Sequence, residues 1–200
     1  MGKKGFLGLL VFSAVLFCAI ALKAQDVPYF EPFSVYSDKG ARDNHYAPSG
    51  WMGDFRDVVF NDASSDVPHS GKTCIKVVYK PDVSQGARWT GIYWQNPPNN
   101  WGNKKGGYDL TGARKLIFWA RGAVGGERIE EVKIGGLTGS YPDSDQAITG
   151  PIILTKEWEK FEIDLRGKDL TYVSGGFCWS TNIDVNPDGC TFYFDDIRYE

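Results

Sequence analysis

Between Gly91 and Leu110 the chain reads GIYWQNPPNNWGNKKGGYDL, which sets Tyr93, Trp94, Trp101 and Tyr108 among Gln95, Asn99, Asn100 and several glycines. Flat aromatic rings can cover the apolar C–H face of a pyranose, and planar amides can read the hydroxyls around its rim. Trp51, in HYAPSGWMGD, has a similar aromatic and glycine-rich setting. The candidate ligand-binding set is therefore Trp51, Tyr93, Trp94, Trp101 and Tyr108, with Gln95, Asn99 and Asn100 as hydroxyl readers. Two readings of Trp101 stand side by side at this level. It is either a platform for a ligand or a plug folded back onto the end of the domain.

Catalytic chemistry is poorly supplied. Glycoside hydrolysis generally needs two carboxyl groups facing each other across the substrate. Glu130 and Glu131, the closest pair in ERIEEVKI, point to opposite faces of a strand. Asp143 and Asp145 in YPDSD have the chemistry of turn residues. His45 and His69 sit in polar loops, outside any zinc-protease or nucleophile-elbow pattern. The glycine pairs sit at strand ends with no helix after them, so no phosphate cradle is formed. Arg121 and Glu127 flank one turn and read as a structural pair. These features favour a protein that binds over one that cuts, with a small sandwich-fold hydrolase or lyase as the weaker alternative.

The elements that must hold the aromatic loop read as short strands. Phe33–Tyr36, Phe55–Phe60, Thr73–Lys80, Trp89–Gln95, Arg114–Arg121, Arg128–Ile134, Trp158–Leu165, Val173–Ser180 and Thr191–Tyr199 are the expected strands, with loops across His45–Asp54 and Gly135–Gly150. Trp158–Leu165 alternates most cleanly, with Phe161, Ile163 and Leu165 inward and Lys160, Glu162 and Asp164 outward. Trp89–Gln95 forces Tyr93 and Trp94 to opposite faces, so one is core and the other is exposed or lies under a loop. Pro97-Pro98 ends that strand. Trp119 and Trp158 lie in hydrophobic strand contexts and read as core. In the last strand Phe192 and Phe194 share one parity while Ile197 and Tyr199 have the other, so both pairs face inward only if the chain bulges at Asp195-Asp196. No helical period and no repeat appears. The expected fold is all-β, an antiparallel β-sandwich of jelly-roll form.

The first residues, MGKKGFLGLLVFSAVLFCAIALKAQ, combine a basic start, an apolar run from Phe6 to Leu22 and a small residue, Ala24, before Gln25. Residues 1–24 read as a signal peptide and 25–200 as a single domain, exported to the periplasm, cell surface or medium, with no membrane insertion after cleavage. That domain carries 19 basic and 25 acidic residues and no long basic run, so nucleic acid and polyanions are not expected ligands. Its three cysteines are Cys74, Cys178 and Cys190. Cys178 and Cys190 flank a turn-rich stretch that would let them bridge across a hairpin, and the competing reading is three buried free thiols.

FYFDDIRYE resembles the closing strand, and LTKEWEKFEIDL the preceding strand unit, of jelly-roll (galactose-binding-domain-like) carbohydrate-binding modules of exported bacterial proteins. SGWMGD, GIYWQNPPNNWG, GGYDLTGA and LIFWARG look like a subgroup of the same fold. The resemblance implies a non-catalytic domain that binds a polysaccharide or oligosaccharide, with any glycan-degrading enzyme a separate polypeptide. It also implies a structural calcium held by a carboxylate near the first strand, Glu31 or Asp38, and by Asp195 of the last. A surface scaffold whose aromatic loops touch another protein is the alternative.

Overall fold

The computed structural model describes residues 1–2 and 29–200; the expected signal peptide rests on residues outside the described ones. Thirteen strands are described: β1 (Phe33–Tyr36), β2 (Ala47–Gly53), β3 (Val58–Ser64), β4 (Cys74–Tyr79), β5 (Trp89–Gln95), β6 (Lys115–Gly122), β7 (Arg128–Ile129), β8 (Glu131–Gly135), β9 (Gln146–Thr149), β10 (Ile152–Ile153), β11 (Glu159–Asp164), β12 (Gly175–Asn182) and β13 (Cys190–Tyr199). They form two antiparallel sheets, β11-β6-β13-β4-β3 with β1 on β13, and β2-β5-β12-β8-β9, beside a small β10-β7 ladder. This is the expected antiparallel sandwich.

Period-two alternation explains how the sheets meet. Trp94 from β5 and Phe177 from β12 pack edge to face at 5.3 Å, Phe177 meets Phe194 of β13 at 5.4 Å, and Trp179 meets Phe192 at 5.1 Å. All five are buried. Burying each such side chain contributes roughly 2 kcal/mol or more. β11 behaves as its alternation requires: Ile163 is buried, Phe161 stacks on Phe118 at 5.5 Å, and Lys160, Glu162 and Asp164 are exposed.

The bulge in β13 is present. The register on β6 shifts between Asp195 and Arg198, Asp196 takes a φ of 47°, and Phe192, Phe194, Ile197 and Tyr199 are all fully buried. The same break changes the neighbour on the other side of the strand, where β4 pairs with Cys190–Phe194 and β1 with Ile197–Tyr199.

Several expectations are corrected. The supposed turn around Trp51 is edge strand β2, masked by Pro48, Gly50 and Gly53, which disfavour strands except at edges and bulges. Gly50 is required there, because a Cβ would lie 2.7 Å from the Cβ of Tyr93 and 2.8 Å from the Gln95 amide nitrogen. Phe55–Asp57 is a 3-10 turn, and the loop after Gly135 contains β9. Trp119 and Trp158 are only half-buried and lie outside the core, on the outer face of the β6-containing sheet. Cys178 and Cys190 are free thiols on strands of opposite sheets, so no hairpin brings them together.

Burial raises the carboxyl of Asp195 from the usual carboxylate range to about 6. The folded state then binds the Asp195 proton more tightly than the unfolded chain, so this group's contribution to stability declines as pH rises from about 4 to about 6. Thermal unfolding of the parent and of Asp195→Asn across that window should show the parent losing Tm relative to the variant as pH rises; parallel curves would contradict the assignment.

Candidate functional site

The outer face of the five-stranded sheet is built from the residues of β5 that do not enter the core. Trp94 points inward and is 1 % exposed, between Phe60 and Phe177. Tyr93 points outward. Its hydroxyl donates to the Gly135 carbonyl at 2.9 Å, and burial raises its pKa well above the usual phenol value. Register places Gly50, Tyr93, Cys178, Lys133 and Ile148 in one row across the sheet, and Met52, Gly91, Ser180 and Glu131 in the next. The Lys133 ammonium lies 5.4 Å from the centre of the Tyr93 ring and 2.9 Å from Glu131.

Trp101 stands over this face. It is 42 % exposed and meets Tyr93 edge to face at 6.1 Å. Its loop is organised by Asn100, which is fully buried. The Asn100 carbonyl oxygen accepts from the N–H groups of Gly102 and Lys104, both at 3.1 Å, while its amide donates to the Lys104 carbonyl at 3.0 Å. Gly102, at φ +84°, presses its backbone onto Thr138, where any Cβ would collide with the carbonyl oxygen. Its own carbonyl accepts from the N–H of Tyr141 at 2.8 Å. Asp143 secures the neighbouring loop by accepting from the N–H groups of Leu137 and Ser174, and burial raises its pKa despite those bonds.

The other expected site residues are dispersed. Gln95 is buried and accepts from the Ser49 hydroxyl at 2.9 Å, so it braces β2 and reads no ligand. Asn100 is likewise consumed by its own loop, and Trp94 by the core. Tyr108 is half-buried among Phe33, His45 and Tyr46, with its hydroxyl donating to the His45 carbonyl. Trp51 shares the parity of core residue Ile92 and packs edge to face on Phe60 at 5.7 Å, at the open side between the sheets. It therefore shares no surface with Trp101. Asn99 is exposed at φ +57°, with its N–H on the Ser49 hydroxyl. Trp101 and Asn99 are the two members of the Gly91–Leu110 set left open to solvent. Sequence reasoning missed Met52, Glu131, Lys133 and Trp89, although Trp89 shares the parity of Tyr93 and was within reach of the same alternation.

The carboxylates expected to hold calcium are occupied by N–H groups. Asp38 accepts from the backbone of Lys72 at 2.8 Å and Thr73 at 2.7 Å, and these bonds lower its pKa. Asp195 accepts from the backbone of His69 at 2.8 Å, Ser70 at 3.3 Å and Asp196 at 2.9 Å. Glu31 is exposed beside the start of the described domain. A cation needs oxygen donors where these sites present N–H groups, and no group of three or more His, Cys, Asp or Glu among the described residues is placed to hold a metal. The residues do not fit a calcium shell. Asp195 and Asp196 instead anchor the Asp66–Ser70 loop: the His69 ring stacks on Trp119 at 3.8 Å with Nδ1 2.6 Å from Asp196, and the Trp158 indole donates to the Val67 carbonyl.

The two adjacent glutamates, Glu130 and Glu131, are each engaged in an ion pair. Glu130 is held by Arg128 at 2.7 Å and Glu131 by Lys133 at 2.9 Å.

The fold is that of the jelly-roll carbohydrate-binding modules. A family 30 carbohydrate-binding module of the cellulosomal cellulase Cel9D-Cel44B of Clostridium thermocellum superposes with a TM-score of 0.57 at 16 % identity, over 85 % of this chain and 97 % of that one. The family 11 module of the cellulosomal cellulase Lic26A-Cel5E of the same organism gives 0.53 at 12 % identity, covering 86 % and 95 %. A family 11 module from that organism in complex with a β-1,3-1,4-mixed-linked tetrasaccharide gives 0.50 at 12 % identity, covering 82 % and 93 %. No family model and no curated protein matches the sequence. At these identities the likeness establishes the architecture.

Two outcomes test the site's construction. Replacing Asn100 with alanine strands several backbone groups of the loop and should cost about 2 kcal/mol of stability, measured by denaturant unfolding. Calcium chloride or a chelator should leave Tm unchanged in differential scanning fluorimetry; a calcium-dependent rise would show that oxygen ligands assemble after all.

Proposed function

We propose that this chain is an exported, non-catalytic module that binds a neutral polysaccharide on the outer face of its five-stranded sheet. The observation that carries the reading is Trp101. A large indole is held in the open above Tyr93 by a loop whose buried amide is spent on positioning it. A plug would be covered by what it plugs, whereas Trp101 is 42 % exposed as a residue.

The chemistry beside it suits sugar hydroxyls. Glu131 accepts and Lys133 donates, and because they neutralise each other at 2.9 Å the pair offers hydrogen bonds without net charge. Export is supported by the composition of the first 24 residues. The solved neighbours supply a precedent for the fold carrying glycan recognition, one of them in complex with a β-1,3-1,4-mixed-linked tetrasaccharide. A separate glycan-degrading enzyme is the natural partner of such a module; Glu130 and Glu131 are held in ion pairs and Asp143 is bound by backbone N–H groups.

Affinity electrophoresis through gels containing soluble polysaccharides, with Trp101→Ala alongside, is the direct test. A neutral glycan should retard the parent protein, the variant should run unretarded, and added salt should change neither. The variant's Tm should stay close to the parent's. A large loss of stability, with no glycan retarding the parent, would establish the plug.

A further inference from the structure

On the same outer face, four residues down β5 from Tyr93, lies Trp89. It is 40 % exposed and has the same outward parity as Tyr93 and Gly91. At the strand rise of about 3.3 Å per residue, the two positions are roughly 13 Å apart. The row between them carries no aromatic ring. Met52, Gly91 and Ser180 occupy it, and Gly91 is compelled to remain glycine because a Cβ would stand 2.5 Å from the Trp179 carbonyl oxygen and 3.0 Å from the Met52 methyl group, which lies beside it. Exposed indoles thus stand at the two ends of this strip, Trp101 over the buried Tyr93 ring and Trp89 at the far end.

The Trp89 end is also concave. A groove there is lined by Arg88, Trp89, Ser180, Asn182 and Asp184. The Asn182 carbonyl oxygen accepts from the N–H groups of Asp184 at 2.9 Å and Val185 at 3.1 Å, which fixes the side chain at the groove. Arg88 and Asp184 pair at 2.7 Å with both side chains largely in solvent, so they contribute little to stability and present matched donors and acceptors at the rim. Like Glu131 and Lys133, this pair supplies polar contacts without net charge.

We propose that the glycan site continues along β5 to a second aromatic subsite at Trp89, so that this face takes a neutral chain over a span longer than a disaccharide. The proposal rests on the glycan-binding reading and adds to it the length of ligand recognised and a binding residue outside the Gly91–Leu110 loop. Trp101 and Trp89 stack on sugar rings at the two ends, and Ser180, Glu131 and Lys133 meet the hydroxyls of the units between.

Isothermal titration calorimetry with mixed-linked β-1,3-1,4-glucan and its oligosaccharides of two to six units separates the two levels of the argument. The parent should bind the hexasaccharide about tenfold more tightly than the disaccharide, the scale of one added aromatic contact. In Trp89→Ala that ratio should collapse towards one, and Trp89→Phe, which restores a flat ring, should recover most of it. A ratio that stays tenfold in Trp89→Ala overturns the subsite. A parent that binds the polysaccharide with no length dependence overturns it too while leaving the Trp101 site standing. If no neutral polysaccharide in the electrophoresis panel binds the parent, the glycan reading falls and the subsite with it.

Discussion

One irregularity in the last strand sets much of this molecule. An unbroken β13 would bury Phe192 and Phe194 and turn Ile197 and Tyr199 out to water. The bulge at Asp195-Asp196 reverses the parity halfway, so four large side chains enter one core. It also hands the strand from β4 to β1, which joins the first strand of the domain to its last. The carboxylates at the break are satisfied by the Asp66–Ser70 loop: Asp195 accepts from the backbone N–H groups of His69 and Ser70, and Asp196 from the Ser70 hydroxyl. That loop in turn covers Trp119 and Trp158. A single change of register therefore closes the core, organises the sheet order and roofs one outer face.

What could be read from the sequence was what depends on neighbours along the chain. The parity clash in FYFDDIRYE made the bulge predictable, and β5 and β11 follow from alternation alone. β2 escaped because its proline and glycines are tolerated only through a bulge and an edge position, which are properties of its pairing with β5. Trp119 and Trp158 were misplaced for a related reason. A strand apolar on both faces, as around Trp119, looks like core on both, whereas the outer face here is covered by the Asp66–Ser70 loop, distant in sequence from both tryptophans.

The site was legible to a similar depth. Alternation established that Tyr93 and Trp94 part company, and the structure assigns Trp94 to the core. Aromatic and amide content singled out the loop on which the proposed site rests, but composition does not distinguish an amide that meets a ligand from one that closes its own turn. Asn100 and Gln95 are both of the second kind, and their roles depend on partners at Gly102, Lys104 and Ser49. Trp89 follows from the same parity as Tyr93, yet it lies in a strand context that reads as framework.

The internal bracing of the Trp101 loop bears on the thermodynamics of recognition. A tryptophan on a floppy loop must give up conformational freedom when a partner arrives. This one has its backbone fixed by the Asn100 amide and by the close approach of Gly102 to Thr138, so the ordering is completed when the domain folds. A ligand bound at the proposed site would meet a prearranged surface, and its selection would rest on the fit between rigid shapes rather than on a loop adapting to its guest.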